Sequence, residues 1–84
     1  MTDDSERQAK LEQMEHLKQL GEKAYDNMYE AHSFRDANDC YREAKDCYYD
    51  AIGLANQMGL KDEATALSER LWHIKEVFRH QFVQ

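Results

Sequence analysis

Ala37, Tyr41, Ala44, Tyr48, Ala51, Ala55 and Met58 recur at alternating steps of four and three. On an α-helix that spacing draws one continuous stripe, small residues interleaved with tyrosines. The stripe needs something to cover it, and the segments on either side carry stripes of the same kind. Met14, Leu17, Gly21, Ala24, Met28 and Ala31 share a face before it, and Ala64, Leu67, Leu71, Ile74, Phe78 and Phe82 share one after it. Cys40, Cys47 and Leu54 run beside the middle stripe on one side, with Tyr49 and Ile52 on the other. So broad an apolar arc suits a middle helix with two neighbours. The pattern predicts an all-α chain of three helices, at about residues 5–32, 34–58 and 62–82.

The punctuation agrees with those spans. Asp3, Asp4 and Ser5 can each cap the first helix, and Glu6 adds negative charge to its first turn. The polar residues 1–7 read as a flexible N-terminal tail, and 8–84 as a single three-helix domain. Ser33 can cap the second helix, with Asp36 three residues on and Phe34 anchoring the turn. Gly59 fits the left-handed position after the second helix, and Leu60 the hydrophobic contact that follows a Schellman ending. Asp62 is a cap or first-turn acid for the third. The chain has no proline, and both turns are short, so consecutive helices should be antiparallel neighbours. Gly21 stands on the first stripe at a cost of about 1 kcal/mol against alanine, which marks either a close helix approach or a break.

With 84 residues the chain is one domain, and its modest core invites help from a partner or a second copy. Seventeen Asp and Glu outnumber eleven scattered Lys and Arg, for a net charge of −6, which argues against nucleic-acid binding. No run approaches the ~20 apolar residues of a membrane span, and the first ten residues hold no apolar leader. The expected setting is therefore the cytoplasm, without membrane association. Cys40 and Cys47 are about 10 Å apart along one helix, too far for a disulfide between them, and read as small reduced hydrophobes. Acids at Asp36, Asp39, Glu43 and Asp46 surround them and oppose a reactive thiolate. Glycine-rich phosphate loops, CxxC pairs and HExxH are absent from the sequence. Glu69, His73, Glu76 and His80 share a helix face at ligand-like spacing, but lie away from the apolar stripe and read as a solvated face. No catalytic, cofactor-binding or metal-ligating residue is assigned, and the chain is expected not to be an enzyme.

Ala37, Tyr41 and Ala44 form the small–aromatic–small pattern of the tetratricopeptide repeat, which residues 18–80 resemble. The text CYYDAIGLANQMGLKDEATALSERLWHIKEVF is similar to the longer variety of that repeat, with Leu71, Ile74 and Phe78 at the large positions of a following helix. Tyr25 stands where the family has a small residue (Ala24 is its neighbour), Lys75 stands at the equivalent place in the third helix, and the usual proline is missing. The register of the first helix is thus open by one residue. REAKDCYYDAI is also similar to the second helix of the microtubule-interacting and trafficking domain. The resemblance implies a concave groove for an extended peptide, lined by the first helix of each repeat. Carried over by position, Glu22, Asp26 and Tyr29 would come from the first helix, and Glu69, Trp72, Glu76 and Arg79 from the third. Trp72, off the core stripe, is either a binding anchor or an edge residue of the helix interface. The acids in that set imply a basic or neutral partner. The expected function is a non-enzymatic protein–protein interaction module, an adaptor or peptide-binding domain. The alternative is a structural homo-oligomer, because repeats of this kind need about three units and this chain has half that.

Overall fold

A computed structural model describes residues 4–82. They form α1 (Asp4–Tyr29), α2 (Phe34–Gln57) and α3 (Lys61–Gln81), with no strand among the described residues. The chain is all-α. Helix α1 begins at Asp4, inside the segment read as a tail, while residues 1–3 lie outside the described residues. It ends at Tyr29, sooner than the stripe suggests. The N–H groups of Glu30 and Ala31 turn to carbonyls three residues back, on Asn27 and Met28, and this tightened turn ends the helix.

Local chemistry sets both turns. Ser33 adopts extended backbone angles and its hydroxyl accepts the Asp36 N–H at 3.1 Å, starting α2. At the other end Leu60 N–H reaches the Ala55 carbonyl at 2.9 Å and Gly59 N–H reaches Asn56 at 3.1 Å. That pair of bonds is a Schellman ending, and Gly59 holds the positive φ of 70° it requires. Leu60, not Asp62, occupies the cap position of α3, without a side-chain cap bond. Asp62 and Glu63 instead place negative charge at the positive end of the helix dipole.

Helix α2 lies between the other two and runs antiparallel to both. It brings Ala37, Ala44, Ala51 and Ala55 to the core, so its neighbours come close, and they supply the bulk: Met14 and Met28 from α1, Leu67, Leu71, Ile74 and Phe78 from α3. Tyr41 stacks flat on Phe78, centroids 4.0 Å apart. Tyr48 is 0 % exposed, and its ring lies against the α1 backbone at Gly21. Helices α1 and α3 run parallel and meet through long side chains across α2. Together these contacts divide the surface into a seam between α1 and α3 and an opposite gap between α2 and α3. No described helix is long and apolar enough to cross a membrane.

Candidate functional site

The α1–α3 seam is closed by a polar clasp. Arg70 donates Nε to Glu22 Oε2 at 2.8 Å and Nη2 to Glu22 Oε1 at 2.7 Å, a two-pronged guanidinium–carboxylate fork. Tyr48 donates its hydroxyl to the same Glu22 Oε2. One carboxylate thus ties all three helices. The Arg70 hydrogen bonds hold the Glu22 carboxyl below its ordinary 4.5, with burial acting the other way. Burial, then the carboxylate beside it, pushes the Tyr48 phenol up. Arg70 also lies 5.0 Å over the Tyr25 ring, and burial with the Tyr29 hydrogen bond raises the Tyr25 phenol to about 12. Tyr25 meets His73 edge-on at 6.3 Å, and Tyr29 meets Phe82 at 6.0 Å.

The clasp has a pH consequence. A carboxyl lowered in the folded state contributes stability above its unfolded value, and that contribution is lost as pH falls through the folded one. Wild type should therefore melt at a higher temperature than Glu22→Gln near neutrality. The difference should shrink as pH drops below about 4.5. Paired thermal melts followed by circular dichroism check this, and a difference constant down to low pH would remove Glu22 from the clasp.

The seven residues carried over from the repeat pattern do not gather on one surface. Glu22 belongs to the clasp. Tyr29 is half-exposed on the same seam, its hydroxyl sharing a 2.8 Å hydrogen bond with Tyr25. Asp26 and Glu69 are exposed. Glu76 is half-buried and pairs with His80 at 3.1 Å and with Arg79 at 4.0 Å. Trp72 stands on the other flank of α3, in the gap facing α2. In the Glu69, His73, Glu76, His80 set, His73 turns to Tyr25 while Glu76 and His80 pair. No group of three or more potential metal ligands converges among the described residues.

The α2–α3 gap is the more distinctive surface. It encloses about 290 Å³ between Tyr49 and Ile52 of α2 and Ser68, Leu71, Trp72 and Lys75 of α3. Ile52 and Leu71 form its floor. Trp72 remains 65 % exposed and Tyr49 49 % exposed on its walls. The Lys75 ammonium bonds the Tyr49 hydroxyl and sits 4.8 Å from its ring centre, and Lys45 sits 5.2 Å from the Tyr41 ring. A larger hollow of about 570 Å³ lies under the α1 N-terminal half, between Leu11, Met14 and the α2–α3 turn, and has no aromatic residue among the described residues that line it.

Sequence reasoning missed this gap. Tyr49 was visible beside the middle stripe and Trp72 off the third, yet nothing in either stripe says that they share a wall. The cations around the gap read only as scattered in the sequence, because nothing there sets a row of α2 beside a row of α3. Comparison of the chain with protein-family models, with curated proteins and with solved structures gave no match.

Proposed function

We propose that this chain is a non-enzymatic protein-interaction module that seats a segment of another protein in the α2–α3 gap around Trp72. One observation carries the reading: the single tryptophan stands mostly in water beside a half-exposed tyrosine, above an apolar floor. A free-standing indole gains the most when a partner covers it, and Trp and Tyr dominate the residues that anchor interfaces. The resemblance to the tetratricopeptide repeat supports the scaffold role, though the gap is not the groove which that resemblance implies.

Trp72 also reports on its own surroundings, since its fluorescence has no competitor from another tryptophan. A library of helical and extended peptides of varied charge can be selected on the wild-type chain alone, and the binders then measured on Trp72→Ala. Binders should shift the fluorescence and lose at least about tenfold in affinity on Trp72→Ala, the size of an anchor residue. The melting temperature of Trp72→Ala should stay close to wild type, because an exposed side chain contributes within about 0.5 kcal/mol to stability. Binders indifferent to Trp72, or none at all, would end the reading.

Self-association is the second reading. Leu20, Tyr29, Phe34, Tyr49 and Trp72 are all exposed, and a second copy could cover some of them. Light scattering over a wide concentration range separates the two, since a monomer holds at 10.0 kDa.

A further inference from the structure

We infer that the segment seated in the α2–α3 gap is an acidic amphipathic helix. The inference rests on the reading above and adds the chemistry of the partner. Two residue rows flank the gap, each fixed by helical spacing through a residue that lines it. Tyr49 and Ile52 lie on the α2 row, at positions 35, 38, 42, 45, 49 and 52. Ser68, Trp72 and Lys75 lie on the α3 row, at positions 61, 65, 68, 72, 75 and 79. These rows hold Arg35, Arg42, Lys45, Lys61, Lys75 and Arg79, six of the eleven Lys and Arg, and not one Asp or Glu. The rest of the chain carries all seventeen acids and only five bases. An acidic protein thus carries more than half of its positive charge on the two rows beside one apolar gap. Lys75 lines the gap itself, Lys61 reaches the hollow under α1, and Asp46 lies one helical step outside the α2 row. Glu76 touches the edge of that strip, 4.0 Å from Arg79, and shares itself with His80.

The shape of the gap selects a helix. It runs between two antiparallel helices whose backbone groups are already paired, so it offers no free strand edge to an extended chain. A helix brings its own backbone bonds and can lay apolar residues at i, i+3, i+4 and i+7 along Ile52, Leu71 and Trp72. Carboxylates on either flank of that apolar row then meet Arg42 and Lys45 on one rim, and Lys75 and Arg79 on the other. Lys75 would exchange its place over the Tyr49 ring for a carboxylate. A nucleic acid would also meet positive charge here, but it has no aliphatic side chain to place on the floor. A second copy of this chain would bring its own acids and is separated by mass.

The test uses the whole chain, Trp72 fluorescence and synthetic peptides of about 16 residues, enough for four to five helical turns. The probe has leucines at helical spacing flanked by glutamates. Its counterparts replace every glutamate by glutamine or by lysine, and a single-stranded oligothymidylate stands for nucleic acid. The glutamate peptide should bind about tenfold more tightly than the glutamine peptide at low salt, and the advantage should fade as salt screens it. Lys75→Glu with Arg79→Glu, and separately Arg42→Glu on the opposite rim, should reverse the preference towards the lysine peptide. Circular dichroism confirms that each variant is folded. Equal binding of the glutamate and glutamine peptides, preference for lysine in wild type, or tighter binding of oligothymidylate would each overturn the acidic partner. In the first two cases the response of Trp72 would leave the interaction reading standing. Silence of Trp72 towards all the peptides would overturn both.

Discussion

Tyr48→Ala should abolish the cooperative thermal transition of this domain, or push it to near ambient temperature. Tyr48 is fully buried in the middle of α2, where it makes two contacts with α1. Its ring fills the space against the α1 backbone at Gly21, and its hydroxyl reaches the Glu22 carboxylate that Arg70 grips from α3. Removing a buried aromatic ring costs about 3–5 kcal/mol in transfer and cavity terms. The total stability of a chain this size is only about 4–12 kcal/mol. Tyr48→Phe keeps the ring and loses one hydrogen bond while Glu22 keeps its Arg70 fork, so it should cost about 1 kcal/mol. Tyr49→Ala, one residue on but half-exposed, should change stability by no more than about 1 kcal/mol. Urea titrations followed by circular dichroism would order the three. If Tyr48→Ala cost no more than Tyr49→Ala, the ring would not be the centre of the packing.

That contrast shows what the sequence can and cannot say. The steps of three and four separate Tyr48 from Tyr49, because one lies on the stripe and the other beside it. They do not separate Tyr48 from Tyr41, which occupies an equivalent stripe position yet stacks on Phe78 half-buried. The difference comes from what the two neighbouring helices present: a glycine of α1 against Tyr48, a phenylalanine of α3 against Tyr41. The helix ends were legible where local chemistry sets them, as at Ser33 and Gly59. The end of α1 was not, because its stripe continues to Ala31 while the backbone tightens into a turn. Arg70 and Glu22 are 48 residues apart and each looks solvated on its own helix. Their meeting depends on how far α1 and α3 lean towards each other across α2, which periodicity does not encode. The position of Trp72 hides for the same reason. A stripe fixes how far a residue lies from the core centre, but the flank it faces depends on the handedness of the whole arrangement. The repeat pattern assigned Glu22 and Trp72 to one groove, whereas the folded chain sets them on opposite sides of α3.

Gly21→Ala should lower stability although it replaces a poor helix former with the best one. A Cβ at Gly21 would lie 2.7 Å from Tyr48 Cε2 and 2.8 Å from Cδ2, distances that real Cβ atoms do not tolerate. The ring has little room to yield, being enclosed on all sides and tethered through its hydroxyl, so α1 must move away from α2. Overpacking of this kind costs about 1–3 kcal/mol, and the helix preference of alanine returns about 1 kcal/mol. A net loss of up to about 2 kcal/mol, centred near 1, would lower the melting temperature by several degrees, at about 4–8 °C per kcal/mol for a domain of this size. Gly53 supplies the control. It is also inside a helix, but a Cβ there meets nothing within 4 Å, so Gly53→Ala should raise stability by up to about 1 kcal/mol. The sign of the effect thus separates a glycine required by contact from one that is merely tolerated. A double-mutant cycle locates the contact itself. In a Tyr48→Leu background, where the ring edge is gone, Gly21→Ala should lose most of its penalty. Additive losses would mean that the strain of a side chain at Gly21 falls on some neighbour other than Tyr48.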